Sequence, residues 1–169
     1  MSSRIFTFLA IVTLGLTGMA GAAERQLPGR VLRVVDGDSL ILDVRGSQYR
    51  VELADIDAPE LNQPWGQEAA QWLQRRLTGS FVVVNWVDST VDGRVRGSLT
   101  FKNGDPGTDL LHSGLAWCTI GPVTRTPYEQ NHPYRDAEAA ARLARRGLWS
   151  DDHAIPPWEW RRQGLQPSD

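Results

Sequence analysis

Three short stretches in the first third of the chain are rich in apolar and β-branched residues, as β-strands are, and the third alternates apolar with polar residues. They cover residues 29–35, 39–44 and 49–53, and turn-forming residues separate them at 36–38 (Asp-Gly-Asp) and 46–47 (Gly-Ser). In the third stretch Arg50 and Glu52 share one face, because successive side chains of a strand point to opposite sides. The pattern predicts a meander of three antiparallel strands.

The pattern further along the chain predicts a helix, two more strands and then further helices. The first helix is predicted at 66–77, with apolar residues at helical spacing: Ala69, Trp72, Leu73 and Leu77. Strands are predicted at 81–87 and 95–101, a short helix around 110–111, and a longer helix over 134–146 that Gly147 ends. Helices and strands do not alternate strictly, which argues against a doubly wound sheet. Five short strands with an inserted helix favour an α+β fold built on a closed or nearly closed barrel.

The first two dozen residues have the pattern of a secretory signal peptide. Arg4 precedes an apolar run over 5–16, and small residues lead up to 22–23. The run is too short to span a membrane comfortably, although an uncleaved N-terminal anchor is the alternative. We therefore expect a signal peptide at 1–23, one domain at 24–162 and a frayed tail at 163–169, with the mature protein in the periplasm or secreted.

The charge balance limits how the chain could hold nucleic acid. There are 18 Lys and Arg residues against 20 Asp and Glu residues, a net charge of −2. Proteins that bind nucleic acid by their overall charge usually carry a basic excess. Any phosphate binding must therefore depend on local arginines or a metal ion. Cys118 is the only cysteine, which excludes an intrachain disulfide and a cysteine zinc cluster, and we expect a buried, unreactive thiol.

Several polar segments at predicted strand ends carry the candidate chemistry. They read Val-Val-Asp-Gly-Asp-Ser at 34–39, Ile-Asp-Ala-Pro-Glu at 56–60 and Asp-Gly-Arg at 92–94. Two further segments accompany them: Gln-Pro-Trp-Gly-Gln-Glu-Ala at 63–69, and Gly-Leu-Trp at 147–149 followed by Pro-Pro-Trp-Glu-Trp-Arg at 156–161. In this order they resemble the staphylococcal nuclease family, in its exported bacterial branch. The resemblance implies a five-stranded OB-fold barrel with about three helices.

Hydrolysis of a phosphodiester needs an activated water and stabilisation of the charge that grows on the phosphoryl oxygens. A hard cation such as calcium can supply part of that stabilisation, and it is held by carboxylate and carbonyl oxygens. The resemblance implies that calcium is the cofactor and that three residues hold it: Asp38, Asp57 and, through its carbonyl, Ala58. It implies that Glu60 is the general base. It also implies that Arg94 binds the phosphate and stabilises the transition state.

The third strand departs from the family pattern. Glu52 stands where the family has a second phosphate-binding arginine, and Asp55 stands where it usually has glycine. Both changes are expected to add negative charge beside an acidic site. At about 4 Å and an effective dielectric constant near 20, a charge pair is worth about 4 kcal/mol. Replacing attraction by repulsion could therefore cost several powers of ten in rate.

Three interpretations of Glu52 are open. It abolishes catalysis, it becomes an additional metal ligand, or a nearby arginine compensates for it, with Arg50 and Arg33 as the candidates. Whether Glu52 points at the metal, at Arg50 or at Arg94 decides between them. A locked Glu52–Arg94 salt bridge across the cavity would end the case for hydrolysis.

The favoured hypothesis is a monomeric, calcium-dependent nuclease that acts on DNA or RNA, single-stranded by preference, without membrane contact after signal cleavage. One alternative is a catalytically impaired OB module that binds nucleotides or oligonucleotides. Another is an adaptor that uses the C-terminal tryptophans 149, 158 and 160 to contact a protein. We expect those tryptophans to pack the C-terminal segment on the barrel, and we expect Trp117 to lie in the core. If a residue stacks on a base, Trp117, Tyr128 and Tyr134 are the candidates.

Overall fold

The computed structural model describes residues 25–89, 94–121 and 132–164. The predicted signal peptide at 1–23, residues 165–169 of the predicted tail, the turn at 92–93 and Tyr128 lie outside these ranges. Within them, no helix is long and apolar enough to cross a bilayer.

A closed barrel of five strands forms the body of the molecule. In chain order the strands are β1 (Gln26–Val34), β2 (Ser39–Val44), β3 (Ser47–Leu53), β4 (Ile56–Asp57), β5 (Phe81–Ser89), β6 (Val95–Thr100) and β7 (Trp117–Cys118). The barrel order is β1-β2-β3-β6-β5, and β5 pairs with β1 to close it. Neighbours are antiparallel except β3 and β6, which run parallel and place Glu52 beside Arg96. The predicted α+β fold with a five-stranded OB-fold barrel is confirmed.

The alternation that predicts the strands also fills the barrel. Val31, Leu40, Leu42, Val51 and Val84 are completely buried, because every second side chain of a strand points inward. The polar residues between them face outward or line the open end of the barrel. Strand β1 begins before the predicted residue 29 because its first residues pair with β5. That contact is made with a distant segment, so local alternation does not predict it.

Helix α1 (Gly66–Leu77) has the predicted bounds. Ala69, Leu73 and Leu77 are fully buried against the barrel. Trp72 is half-buried and lies under the guanidinium of Arg76, 4.1 Å from the ring centroid to Cζ. The helical spacing of the apolar residues therefore identified the buried face.

Two later helices pack beside each other. Helix α2 (Pro106–His112) is capped by Asp105, and helix α3 (Pro133–Leu143) is capped by His132. The predicted end of α3 at residue 146 is wrong. Arg145 adopts a left-handed conformation with φ of 52°, which stops the helix, and a 3₁₀ helix follows at Gly147–Ser150. Gly147 packs directly on Gly114, where a Cβ would lie 2.2 Å from the Gly114 carbonyl oxygen.

A fourth helix, α4 (Pro157–Arg162), was not predicted from the sequence. It returns to the barrel because the side-chain amide of Gln63 donates to the carbonyl of Ile155 at 2.5 Å. Trp117 is buried and packs edge-on against Trp149 and Trp158, with ring centroids 5.3 and 6.5 Å apart. The prediction that the tryptophans hold the C-terminal segment on the barrel is confirmed.

Candidate active site

A cavity of about 530 Å³ opens at the end of the barrel where β2, β3 and β6 meet the loop after β4. Five acidic residues line it: Asp36, Asp38, Glu52, Asp57 and Glu60. Four arginines line it as well: Arg50, Arg94, Arg96 and Arg161. All five residues predicted to form the site therefore share one cavity, since Ala58 is also part of its wall. With five carboxylates against four guanidiniums the lining has a formal net charge of −1, compared with −2 for the predicted residues alone.

Asp38 is held at the floor of the cavity by the tight turn between β1 and β2. Its Oδ2 accepts a hydrogen bond from the backbone N–H of Ala58 at 2.7 Å, and its own N–H donates to Asp36 Oδ1 at 3.1 Å. Gly37 permits this approach, because a Cβ there would lie 2.6 Å from the Cβ of Ala58. The turn thus brings two of the three predicted metal ligands into direct contact.

The environment of Asp38 disfavours a lone negative charge. Burial raises the pKa of the Asp38 carboxyl well above its usual value, and the neighbouring carboxylates of Asp36 and Asp57 raise it further, against the lowering effect of the Ala58 N–H. A bound cation would relieve both the desolvation and the repulsion. Buried carboxylates that repel one another in this way are suited to bind a cation through their oxygens.

Both carboxylate oxygens of Asp57, the third predicted ligand, are hydrogen-bonded to an arginine. Arg161 donates from Nη2 to Asp57 Oδ2 at 2.7 Å and from Nη1 to Asp57 Oδ1 at 3.2 Å. The same Nη1 donates to Glu60 Oε1 at 2.8 Å. These hydrogen bonds, led by the one to Asp57, raise the pKa of Arg161 above its usual value. The predicted general base and a predicted metal ligand are therefore bridged by one guanidinium.

Sequence reasoning missed the position of Arg161. It lies 101 residues along the chain from Glu60, on a helix that the sequence pattern did not predict. The motif at 156–161 could have indicated Arg161 as a site residue. It is part of the family resemblance, but the resemblance assigned no role to its arginine. Two tryptophans of that motif, Trp158 and Trp160, contact Trp117 and Asn62 and so hold α4 in place.

Glu52 points at Arg94. The Arg94 Nη1 lies 2.5 Å from Glu52 Oε1. Arg50 instead faces Asp36, with Nη2 at 3.6 Å from Oδ2, and also reaches the Ser39 hydroxyl at 3.4 Å. Arg50 therefore does not neutralise Glu52 by direct contact, although it lines the cavity, and Arg33 is not among the described residues that line it. The observed pair is the arrangement that we expected to argue against hydrolysis, so its strength matters.

That pair is open to solvent on one side. The side chain of Arg94 is 40% exposed and that of Glu52 is 27% exposed. Ion pairs with this much exposure contribute roughly 0–1 kcal/mol to stability. A pair of this strength holds Arg94 weakly, so a phosphate, which also forms charged hydrogen bonds with guanidinium, can compete with Glu52 for it. The pair lowers the availability of Arg94 without removing it from the cavity.

Asp55 does not add charge to the site, contrary to the prediction. It has φ of 64°, a left-handed conformation in which glycine is favoured, and Asp is one of the residues that tolerate it. Its carbonyl accepts from the N–H of Thr119 at 2.9 Å, and its side chain is not among the described residues that line the cavity. A glycine at this position in the family is thus explained by backbone conformation rather than by electrostatics.

The predicted oxygen ligands suit a hard cation, but they are not already arranged around one position. Among residues 25–89, 94–121 and 132–164, no group of three or more His, Cys, Asp or Glu side chains is arranged to hold a metal ion. The predicted set has two carboxylates, Asp38 and Asp57, and one carbonyl, that of Ala58. Because both oxygens of Asp57 contact Arg161, a cation has to displace or share that guanidinium. The donor chemistry fits calcium, with Arg161 as its competitor for Asp57.

Two of the candidates for base stacking are excluded by burial. Trp117 is 5% exposed and Tyr134 is 4% exposed, and the hydroxyl of Tyr134 donates to Asp105 at 2.7 Å.

Cys118 is only partly buried, and that burial raises the pKa of its thiol, which keeps it protonated as expected for an unreactive cysteine.

The model of the family described as "Staphylococcal nuclease homologue" matches residues 50–151. A protein of Escherichia coli named "Protein ParB" is 33% identical, over 100% of this chain and 99% of its own length. An E. coli protein named "Uncharacterized endonuclease" is 33% identical over 82% of this chain and 87% of its own length. A protein of Shigella flexneri named "Micrococcal nuclease" is 31% identical over 96% of both chains.

Proposed function

Because this chain belongs to the staphylococcal nuclease family, we propose that it is a calcium-dependent nuclease that hydrolyses phosphodiester bonds in nucleic acid. One observation carries the proposal: Asp38, Asp57, Ala58, Glu60 and Arg94 line a single cavity at the open end of the barrel. The relatives named as nucleases and endonucleases support the same reaction class.

Calcium, when bound, would offset the negative charge that develops on the phosphoryl oxygens. The residues that would hold it are Asp38, Asp57 and the Ala58 carbonyl. Desolvation of Asp38 and its repulsion by neighbouring carboxylates support cation binding here, because a cation removes both penalties. The Ala58 N–H keeps the Asp38 carboxylate in its orientation.

Glu60 serves as the general base in this proposal. Its Oε1 already accepts a hydrogen bond from Arg161, which shows that a donor can reach it inside the cavity. A water in that position would give its proton to the Glu60 carboxylate as it attacks phosphorus, while one P–O ester bond breaks and the leaving sugar oxygen takes a proton from solvent. The backbone N–H of Glu60 is held by the Gln63 side chain at 3.1 Å, which fixes the loop that presents the base.

Arg94 binds the phosphoryl group and stabilises its growing charge. A guanidinium has five N–H donors in a planar fork, a geometry that suits two phosphoryl oxygens at once. Glu52 reduces this contribution by repelling the same phosphate. We therefore propose an active enzyme that is slower than it would be with a neutral residue at position 52.

The proposal extends to location and substrate. A signal peptide at 1–23 would place the mature protein in the periplasm or outside the cell, where calcium is available. Single-stranded DNA or RNA is the proposed substrate, because the cavity has little net charge with which to grip a duplex along its length. We propose that the mature protein acts as a monomer without membrane contact.

The test is cleavage of single-stranded DNA and RNA by the purified mature protein. We expect cleavage with calcium and none after chelation. Glu60→Gln should lower kcat by about 10²–10⁴-fold, the usual contribution of a general base. Glu68→Gln is the matched control, since Glu68 is exposed on α1 and does not line the cavity. If Glu60→Gln cleaves as fast as the wild type, the assignment of the base is wrong.

A catalytically impaired OB module is the second candidate, and the 2.5 Å Glu52–Arg94 contact favours it. It predicts saturable oligonucleotide binding without turnover in any divalent cation. Turnover by the wild type with calcium excludes it. Turnover that arises only in Glu52→Arg would establish it.

A further inference from the structure

Arg161 is delivered to the cavity by a firmly anchored segment. The Gln63 amide donates to the Ile155 carbonyl at 2.5 Å, and the Trp160 indole N–H donates to Asn62 Oδ1 at 3.3 Å. Trp158 packs edge-on against the buried Trp117. Three contacts in the six residues before Arg161 therefore hold its helix in place, so the guanidinium reaches the cavity from an anchored segment.

The neighbouring arginine shows the contrast. The side chain of Arg162 is 73% exposed, faces Glu159 at 3.9 Å and does not line the cavity. The side chain of Arg161 is 40% exposed and contacts two carboxylates of the site. Two adjacent arginines on one short helix thus have different environments, and only one of them faces the cavity.

Arg161 contacts two carboxylates, those of Asp57 and Glu60, that have other roles once a cation and a substrate are bound. In the proposed function, Asp57 is a cation ligand and Glu60 receives a proton. A cation at Asp57 competes directly with the guanidinium for the same two oxygens. When the cation takes them, Arg161 keeps its place at the cavity but loses its strongest partner. Nη1 keeps its contact with Glu60 at 2.8 Å, and the Nη2 group that Asp57 releases can then bind an anion in the cavity.

We propose that Arg161 is a substrate-binding residue of this site, and that it supplies from the C-terminal helix the second phosphate contact that Glu52 cannot make. In the cation-free protein, Asp57 and Glu60 hold the guanidinium in the cavity. In the loaded protein, Arg161 binds a phosphate oxygen of the nucleic acid beside Arg94. This inference rests on the proposed nuclease function and names a residue that the family resemblance does not assign.

The test compares binding of two uncleaved probes in the presence of calcium. One is a short single-stranded oligodeoxynucleotide with phosphorothioate linkages, which resist hydrolysis and keep the negative charge. The other has the same sequence with neutral methylphosphonate linkages. Arg161→Gln should weaken binding of the charged probe by about tenfold to a hundredfold, the usual effect of losing a charged hydrogen bond. It should leave binding of the neutral probe nearly unchanged, and Arg161→Lys should lie between.

Arg162→Gln is the matched control and should bind both probes like the wild type, because Arg162 lies outside the cavity. Calorimetry without oligonucleotide gives a second readout. Calcium should bind Arg161→Gln more tightly than the wild type, since Asp57 no longer has a competing partner. Thermal melting confirms that each variant is folded.

Charged-probe binding that is as tight in Arg161→Gln as in the wild type overturns the proposal. Tighter probe binding together with faster cleavage also overturns it, and shows that Arg161 obstructs the site. Calcium affinity that is unchanged or weaker overturns the competition at Asp57. The nuclease proposal fails separately: a wild type that never cleaves, while Arg161→Gln still loses charged-probe binding, refutes the reaction and leaves the role of Arg161 intact.

Discussion

Glu52 offers the sharpest quantitative test of the electrostatics in this cavity. The perturbation is Glu52→Gln, which keeps the size of the side chain and removes its charge. Two effects follow from the structure. Arg94 loses a partner at 2.5 Å, and a phosphoryl group bound by Arg94 loses a nearby negative charge that repels it.

The first effect is small. The pair is partly exposed, so releasing Arg94 is worth roughly 0–1 kcal/mol. The second effect depends on distance and screening. With the phosphoryl group about 6 Å from the carboxylate, the repulsion is about 3 kcal/mol at an effective dielectric constant of 20 and about 0.7 kcal/mol at 80. These values correspond to a gain in kcat/KM between about threefold and about a hundredfold. Glu52→Arg replaces repulsion by attraction and should gain more than Glu52→Gln.

The assay is the initial rate of single-stranded DNA cleavage with calcium, at low and high ionic strength. The gain should shrink as salt rises, because the Debye length falls from about 10 Å at 0.1 M to about 3 Å at 1 M. Urea unfolding should show a change in stability below about 1 kcal/mol, as expected for an exposed pair. Glu68→Gln again serves as the control.

A rate for Glu52→Gln that is equal to or below the wild-type rate at low salt would refute this reasoning. Calcium titration then identifies the cause. Weaker calcium binding in the variant would mean that Glu52 is an additional metal ligand. Unchanged calcium binding would mean that the Glu52 contact holds Arg94 in its productive position.

Two further predictions concern stability. In metal-free protein the raised pKa of Asp38 means that the folded state keeps a proton that the unfolded state releases above about pH 4. Stability of the wild type should therefore fall as pH rises from about 4 through the folded-state pKa of Asp38. Asp38→Asn should remove this loss, so with chelator the variant should be more stable than the wild type at neutral pH, and calcium should reverse that order. Urea unfolding of both proteins at about pH 4 and about pH 7 checks this. A wild type that gains stability relative to the variant between these two pH values would contradict it. Because Asp55 has a left-handed backbone, Asp55→Gly should stabilise the protein by up to about 1 kcal/mol and Asp55→Ala should destabilise it. Thermal melting measures both changes, and the cleavage rates of both variants should equal the wild-type rate. A faster rate in Asp55→Gly would show that the charge of Asp55 does reach the site.

The sequence by itself determined the strands of the barrel and the bounds of α1, and motifs that resemble the family named the residues of the proposed cation site. Those features depend on local patterns: two-residue alternation in the strands, helical spacing over 66–77, and short motifs whose residues are close along the chain. Asp38 and Ala58 could be placed together because both motifs end strands of one predicted barrel. The same local patterns failed at α3, where a left-handed Arg145 interrupts a sequence that otherwise favours helix.

Only the tertiary structure decided the balance of charge in the cavity. Glu52 meets Arg94 across 42 residues of chain, and Arg161 meets Asp57 across 104. No periodicity connects such positions, and α4 has only six residues, too few for its spacing to identify a buried face. The charge of a residue can be read from the sequence, but its effect depends on which opposite charges fold against it. For this reason Glu52 and Asp55 both looked damaging in the sequence. In the folded chain, one is paired with an arginine and the other lies outside the cavity lining.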